Sequence, residues 1–278
     1  MVQFSKHEVD DWNQSKPFLS QNLKGYIFRG QPNANYALST SLERCMNNFA
    51  SKSHRWLRAE YWLLREYKRK FHLYSNQVPI DSNLLEWLSI MQHHGTPTRL
   101  IDFTYSLYIA LFFAIFSTNQ DAAIWALDHN WLKENVKKEY DLDYDPQICL
   151  KDQINKLHIE QCNEILSTSN DEEFPFLIPV EPERLSDRMS RQQGLFIMPA
   201  SLNCSFDNNI ESVLSKARNS KYLRKQKNNL APILKIIISK SCYKEILYDL
   251  KQMNITSETL FPGLDGFSES LIQTIIRS

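Results

Sequence analysis

The chain has 278 residues, of which 42% are hydrophobic and 23% are charged. This composition is typical of a well-packed globular protein and excludes a disordered one. Because 32 basic residues balance 32 acidic ones, the net charge gives no reason to expect nucleic-acid or membrane binding. The amino terminus lacks the apolar core of a signal peptide, and the five scattered cysteines lack metal-binding spacing. We therefore expect reduced thiols in a cytoplasmic protein with no membrane partner.

The first eighty residues contain two helix signals and one strand signal. Ser5 and Glu8 resemble a capping box, which predicts a short helix through Trp12. The aromatic and β-branched run "YIFRG" at 26–30 predicts a strand. Apolar residues at helical spacing predict a long amphipathic helix over 53–74.

The segment "QHHGTPTRLIDFT" at 92–104 separates a helix from a strand. The helix that precedes it should end at Gly95, because glycine terminates helices easily and Pro97 disfavours helix just before it. "RLIDF" predicts a brief strand, and Ser106 is a suitable cap for the next helix. That apolar helix, over 107–116, is about half as long as a bilayer span, so we expect it to be buried.

The second half of the chain predicts four more strands and several helices. The strands are "AAIWAL" at 122–127, "FLIPV", "GLFIM" and "ILKIII". Helical spacing occurs at 132–140 and 154–165, and a final pair is expected, one with Ile246, Leu247, Leu250 and Met253 facing inward and one capped by Ser268. The fold class is α+β: a mixed, mostly antiparallel twisted sheet of short strands wrapped by helices. We expect one domain over 1–278, with a helical extension at 1–22 and a basic helical insertion at about 205–230.

The six glycines are concentrated beside compact polar motifs, namely "YIFRG", "QHHG", "RQQG" and "LFPGLDG". Glycine permits tight turns and close approach of the backbone, and each motif adjoins an apolar segment, so we expect the four to converge on one pocket. Arg29 is either a structural clamp on a carboxylate or a ligand for a phosphate or carboxylate. Arg99 and Asp102 form either a strand-bridging pair or part of the site, and His93 and His94 either terminate a helix or take part in chemistry.

Several well-known chemical motifs are absent from the sequence. There is no P-loop, dinucleotide-binding glycine fingerprint, G-x-S-x-G elbow or H-E-x-x-H motif. No metal site is expected, and a nuclease around Asp102, Glu86 or Asp265 is disfavoured. The basic stretch "KARNSKYLRKQK" is interpreted as a solvated face rather than a nucleic-acid site.

In content and order, the blocks "YIFRGQ", "MQHHGTPTRLIDFTYSLYIALFFA", "RMSRQQGLFIM" and "LFPGLDGF" resemble the FRG domain, a bacterial domain named for its [FY]-R-G motif. The resemblance runs from Gly25 to Phe267. The middle block is the most specific of the four.

A more distant similarity is to ADP-ribosyltransferases, which implies a related fold and NAD as the substrate. By that similarity Arg29 holds the diphosphate, Thr104 or Ser106 faces the ribose, and Gln193 stands near the reacting carbon. Phe28 or Phe103 stacks on nicotinamide. The remaining implied binding residues are Gly30, Gln31, His94, Arg99 and Asp102. The late glutamate of that superfamily is replaced here by glutamine in "RQQG".

Two functions follow from these resemblances. The first is an enzyme that binds NAD and transfers or hydrolyses ADP-ribose, as a toxin or a phage-defence effector with a protein or nucleic-acid target and a cognate antitoxin. The second is a non-catalytic module in bacterial defence that senses a nucleotide or a protein. Ligand binding without product would favour the second.

Overall fold

A computed structural model of the protein describes residues 5–49, 55–144, 150–168, 174–217 and 230–275. The strands are β1 (Ser5–Val9), β2 (Tyr26–Gln31), β3 (Ile101–Thr104), β4 (Ala122–Asp128), β5 (Leu177–Val180), β6 (Gly194–Pro199) and β7 (Ile233–Ile238). The helices are α1 (Trp12–Asn22), α2 (Ser41–Asn48), α3 (Trp56–Phe71), α4 (Leu84–His93), α5 (Leu107–Ile115), α6 (His129–Glu139), α7 (Lys151–Ser167), α8 (Asp187–Arg191), α9 (Phe206–Ala217), α10 (Tyr243–Gln252), α11 (Ser257–Leu260) and α12 (Leu264–Ile275).

The seven strands form one sheet in the order β1, β7, β4, β2, β3, β6, β5. Only β1 and β7 pair in parallel, and the other described neighbours are antiparallel. The predicted mixed, mostly antiparallel sheet wrapped by helices is therefore confirmed. The central position of β2 and β3 places "YIFRG" and "RLIDF" in the middle of the sheet.

Two apolar clusters cover the two faces of the sheet. Ile27 of β2 belongs to the cluster that packs against α3, α4, α6, α7 and α9. Its neighbours Tyr26 and Phe28 belong to the cluster formed with α1, α5 and α10. This alternation follows from the two-residue period of a strand, which sends successive side chains to opposite faces. Both faces of the sheet are thus buried, as the apolar run of β4 requires.

The amino-terminal prediction of a helix through Trp12 is wrong. Ser5–Val9 is a strand that pairs with β7, and the helix begins only at Trp12, where Asp11 accepts a hydrogen bond from Gln14 N. Ser5 and Glu8 have the spacing of a capping box but do not form one. Pairing with an exposed edge of the apolar strand β7 outweighs local helix preference in so short a segment.

The carboxy-terminal helices also differ from expectation in two details. Ile246 and Leu250 are buried, whereas Met253 is 40% exposed because α10 ends one residue earlier. The last helix begins at Leu264 and contains Ser268, which is therefore not its cap. In the predicted basic insertion, α9 is helical, and residues 218–229 lie outside the described part of the chain.

The remaining helix and strand predictions within the described ranges are confirmed. Gly95 lies in the left-handed region at φ +82 just after α4, and the Ser106 side chain accepts a hydrogen bond from Ile109 N at the start of α5. Over the described segments, helices fall short of the length and apolarity that a bilayer crossing needs.

Strand β2 lies directly on helix α5 at Gly30. A Cβ atom at this position would lie 2.1 Å from the carbonyl oxygen of Ala110 and 2.6 Å from the backbone nitrogen of Ala114. Both are backbone atoms of a helix, which cannot move away as a side-chain tip can. The glycine of "FRG" is therefore required by strand-to-helix packing.

The Gly30→Ala variant is expected to lower the free energy of unfolding by about 3 kcal/mol, since the added methyl overpacks the contact with α5. Gly95→Ala is the matched control, because nothing lies within 4 Å of a Cβ there. Its cost should be only the left-handed backbone penalty of about 1 kcal/mol. Urea unfolding curves measure both, and equal losses would contradict the packing argument.

Candidate functional site

A cavity of about 540 Å³ opens between β2, β3, α4 and α8 at the centre of the sheet. Three of the four glycine-marked motifs line it: "YIFRG" through Arg29, "QHHG" through His93 and His94, and "RQQG" through Gln192. The fourth motif, "LFPGLDG", is not part of the cavity wall but packs behind it. Its Phe261 ring lies 4.8 Å from the Arg188 guanidinium carbon. Three of the four motifs that were expected to converge therefore line one cavity, and the fourth does not.

The cavity exists because β2 and β3 pair at a single residue position. Phe28 faces Thr104 in register, and no further pair joins these two strands in the described sheet. Beyond this pair the two strands separate. Backbone polar groups that would bond each other in a regular ladder therefore need side-chain partners. Arg29 fills this role, because its Nη1 donates to the backbone oxygen of Asp102 at 2.7 Å.

The Arg29 guanidinium is only partly neutralised. Its side chain is 21% exposed, and the nearest carboxylate oxygen, of Asp102, lies 3.7 Å away on a side chain that is 62% exposed. Burial lowers the pKa of Arg29, an effect opposed by the Asp102 charge, yet guanidinium remains protonated at all ordinary pH values. The Nε atom is buried with no hydrogen-bond partner in the described chain. Arg29 therefore brings an incompletely compensated positive charge to the cavity wall.

Gln92 organises the wall next to Arg29. Its Nε2 donates to the Asp102 carboxylate at 3.0 Å, and its Oε1 accepts from the hydroxyls of Thr98 and Ser41. All hydrogen-bonding groups of this amide are thus used within the protein. The Asp102 carboxylate is held between an amide and a guanidinium, which fixes its direction along the wall.

The Thr104 hydroxyl is engaged in backbone hydrogen bonds. It donates to Gln192 O at 2.7 Å and accepts from Ser106 N at 3.1 Å. Thr104 lines the cavity, but these two bonds occupy its hydroxyl. They link the end of β3 to the turn that follows α8. Ser106 caps α5 and lies outside the cavity lining.

The structure places Gln192 in the cavity wall, not Gln193. Gln193 has φ +48 and an exposed side chain, because the chain reverses after α8 with Gln193 N bonded to Ser190 O. The Gln192 amide donates to Leu260 O at 3.2 Å. The role predicted for Gln193 therefore has no support from its position.

Glu86 is a buried carboxylate in the cavity that the sequence reasoning assigned no role. It lies in the first turn of α4, is 8% exposed, and accepts from the Asn83 side chain at 3.1 Å. Arg184 approaches it at 3.8 Å. The only signal in the sequence is the Asn83 to Glu86 spacing, which indicates a helix cap rather than a site.

Two further arginines, Arg184 and Arg188, line the cavity from the segment around α8. Sequence reasoning missed them because "PERLSDRM" has no distinctive pattern. With Arg29 they bring three guanidinium groups to a cavity that has two carboxylates, Glu86 and Asp102. The cavity is accordingly cationic overall, even though the whole chain is neutral.

His93 and His94 both line the cavity, with ring centroids 4.9 Å apart and an edge-to-face arrangement. Burial lowers the pKa of His93, assisted by the neighbouring charges of His94 and Arg188. Among the described residues, no three His, Cys, Asp or Glu side chains are grouped so that they could hold a metal ion. The pair is thus placed to contact a ligand directly.

Aromatic rings form the apolar part of the cavity. Phe28 and Phe103, both predicted, line it together with Phe113 and Phe196, which were not. Phe28 and Phe103 are almost fully buried, so each presents only a small area to the interior. Phe113 is only partly buried, so it offers more of its ring to a planar ligand group than the other three do.

Two predicted binding residues are structural. Arg99 is fully buried and makes a forked contact with Glu60, Nε at 2.8 Å and Nη2 at 2.5 Å from the same carboxylate oxygen. It also donates to Ala200 O. Gln31 accepts from the Trp125 indole at 2.7 Å and donates to Ala37 O. Neither lines the cavity, so their assignment as ligand contacts is corrected.

Comparison with protein families finds one match: the FRG domain, over residues 24–123. This range covers "YIFRGQ" and the "MQHHG" block but not the two later motifs of the resemblance. No curated protein matches the chain, and no solved structure matches it. The likeness to ADP-ribosyltransferases stays a prediction.

Breaking the buried ion pair should destabilise the fold strongly. Glu60→Ala leaves the Arg99 charge buried without its carboxylate and should lower the free energy of unfolding by about 3–5 kcal/mol. The double variant Glu60→Met with Arg99→Met should recover most of that loss. Thermal unfolding monitored by circular dichroism tests both, and a double variant no more stable than Glu60→Ala would contradict this description.

The link between Arg29 and Asp102 should behave differently, because the principal hydrogen bond goes to the backbone. Asp102→Ala keeps that acceptor and should change the free energy of unfolding by less than about 1 kcal/mol. Arg29→Ala removes the charged donor of the hydrogen bond to the Asp102 carbonyl and should cost about 1.5–3 kcal/mol. The same unfolding curves compare them. A larger loss for Asp102→Ala would show that the carboxylate, not the carbonyl, holds Arg29.

Proposed function

From the premise that the chain carries an FRG domain over residues 24–123, we propose that the cavity binds an anionic nucleotide, with NAD as the candidate ligand. Arg29 contacts its phosphates. The observation that carries the proposal is the partly neutralised Arg29 guanidinium, 3.7 Å from a mostly exposed carboxylate, in a cavity with two further arginines.

Charge supports a phosphate-bearing ligand. Guanidinium binds phosphate in a forked geometry and keeps its charge when desolvated. Arg29 has one firm hydrogen bond, to a neutral carbonyl, so most of its charge remains available. An incoming phosphate would compete only with the solvent-screened Asp102 carboxylate.

The size and the lining of the cavity support a ligand that has a nucleoside part. A volume of about 540 Å³ lies within the usual range for pockets that hold small organic ligands. The aromatic and aliphatic side chains, among them Phe113, Ile90 and Leu185, lie in the same cavity as the arginines. This combination suits a molecule with a planar base at one end and phosphates at the other.

Binding without turnover, as in a sensing module, is the form that the geometry supports best. The predicted reacting-site amide, Gln193, is outside the cavity lining, and the Thr104 hydroxyl is already committed to backbone partners. No side chain among those predicted for catalysis, other than Arg29, is free to contact the ligand within the described site.

Cleavage of the nicotinamide bond is a second candidate, favoured by Glu86. The reaction passes through a cationic ribosyl species, which a nearby carboxylate stabilises electrostatically. Glu86 is a buried carboxylate in the cavity. It would take the role that the similarity assigned to a late glutamate or glutamine.

Titration calorimetry with NAD tests the binding proposal. Arg29→Ala should weaken binding at least about tenfold, since a hydrogen bond to a charged group is worth about 1.5–3 kcal/mol. Asp102→Ala removes the competing negative charge and should tighten binding or leave it unchanged. Arg65→Ala, on the exposed surface of α3 and paired with Glu66, is the matched control and should stay within about twofold of the unaltered protein.

Absence of NAD binding, or equal losses in Arg29→Ala and Arg65→Ala, would contradict the proposal. Nicotinamide release, followed chromatographically, separates the two candidates. Release that disappears in Glu86→Gln supports cleavage, and binding without release supports the sensing module.

A further inference from the structure

A second cavity, of about 530 Å³, lies between the first turns of α6 and α7 and the end of β5. Its polar lining includes Tyr105, His129, Lys133, Lys151, His158 and Glu181. None of these side chains lines the first cavity. The proposed nucleotide site therefore leaves this concentration of titratable groups without a role.

His158 supplies an unsatisfied hydrogen-bond acceptor to this cavity. The residue is 2% exposed, and its Nδ1 lies 2.8 Å from Pro179 O. A carbonyl oxygen only accepts, so Nδ1 carries the hydrogen and Nε2 of the neutral ring is an acceptor. Nε2 is buried and has no partner in the described chain. Burial lowers the pKa of His158 to about 4, which keeps the ring neutral at neutral pH.

Two lysines supply positive charge on the same lining. Neither Lys133 nor Lys151 forms an ion pair with any described residue. Burial lowers the pKa of Lys133, and the charge of Lys151 lowers it further. The charges of Glu181 and Asp128 act on the pKa of Lys133 in the opposite direction, and an anion bound beside both lysines would add to their effect.

The carboxylates nearby are mostly committed elsewhere. Glu181 accepts from the Tyr105 hydroxyl at 2.5 Å, and Asp128 caps α6 by accepting from Trp131 N at 3.0 Å. Asp152 also lines the cavity, and like Lys151 it is exposed in the first turn of α7. The amino-terminal turns of α6 and α7 both contribute lining residues and add positive helix-dipole potential. The cavity thus presents two lysines, one exposed carboxylate, one carboxylate already bonded to Tyr105, and the neutral acceptor of His158.

We propose that this second cavity binds a phosphate group that retains a hydrogen, with its charged oxygens on Lys133 and Lys151 and its P–OH donated to His158 Nε2. An anion alone would satisfy the lysines but not the imidazole. A protonated oxyanion satisfies both, because one oxygen carries a donor while the others carry charge. Sulfate, which is fully ionised near neutral pH, satisfies only the lysines.

His129 and Tyr105 form the side wall of this phosphate site. Their rings lie 5.5 Å apart, and burial lowers the pKa of His129 to about 3, so it adds no charge of its own. The backbone nitrogen of His129 donates to Gly25 O, which ties α6 to the start of β2. The binding groups therefore stand on elements that are fixed to the sheet.

Calorimetric titration of the full chain with inorganic phosphate and with sulfate at neutral pH tests the proposal. Phosphate should bind at least about tenfold more tightly than sulfate, the value of about one hydrogen bond. Lys133→Met should weaken both anions about tenfold or more. Lys156→Met, an exposed lysine of α7 outside the cavity lining, is the matched control and should change neither.

His158→Leu should reduce phosphate affinity to that of sulfate without affecting sulfate. Equal affinities of the unaltered protein for the two anions, or no effect of Lys133→Met, would overturn the proposal. Because the comparison of anions uses the unaltered chain, it decides the matter even where His158→Leu folds poorly.

Titrations with organic phosphates show whether the ligand is free phosphate or a phosphorylated molecule. They are done at about pH 5.5, where a phosphate monoester is largely monoanionic and keeps its hydrogen. Methyl phosphate should bind and dimethyl phosphate, which has no P–OH, should not. A monoester that binds more tightly than inorganic phosphate indicates a phosphorylated molecule as ligand, and the reverse order indicates the free ion. Dimethyl phosphate binding as well as methyl phosphate would also overturn the proposal.

Discussion

The separation of β2 from β3 after a single paired position, Phe28 with Thr104, governs the site. In a regular sheet the polar backbone groups of two central strands pair with each other. Here one strand's side chain, Arg29, bonds the other's carbonyl at Asp102, and the space between becomes a cavity. Helix α5 holds β2 in place through contact at Gly30. The arginine of "FRG" thus lines the cavity, and the glycine lets the same strand pack closely against α5.

Arg29 lies in β2 and Arg99 lies just before β3, and the surroundings of the two arginines differ. Arg99 is fully enclosed and forked onto Glu60, so its charge is used in holding α3 to the core. Arg29 reaches a neutral carbonyl firmly and a carboxylate only at 3.7 Å, so its charge remains available. A saturated buried pair maintains a fold, while a partly satisfied one at a cavity wall leaves part of its positive charge uncompensated. The difference lies in the partner, not in the residue.

The end of β3 lies between the two cavities. Thr104 lines the first and Tyr105 the second, and Leu195 of β6 contributes to both. Adjacent residues are divided in this way because side chains alternate along an extended chain. The first cavity combines arginines with aromatic rings, and the second combines lysines with neutral imidazoles. The lining chemistries of the two cavities therefore differ.

The sequence by itself determined six of the seven strands and most helices, and it marked the three motifs that meet, because these depend on local periodicity and on glycine and cap positions. It indicated Arg29 but could not separate it from Arg99, since both are arginines beside apolar strands with an acid nearby in sequence. Tertiary structure decided which one Glu60 neutralises, which glutamine of "RQQG" enters the cavity, and that Glu86, Arg184 and Arg188 join it. It also placed Ser5–Val9 in the sheet. Each outcome depends on contacts between residues that are distant along the chain, and local sequence patterns do not predict such contacts.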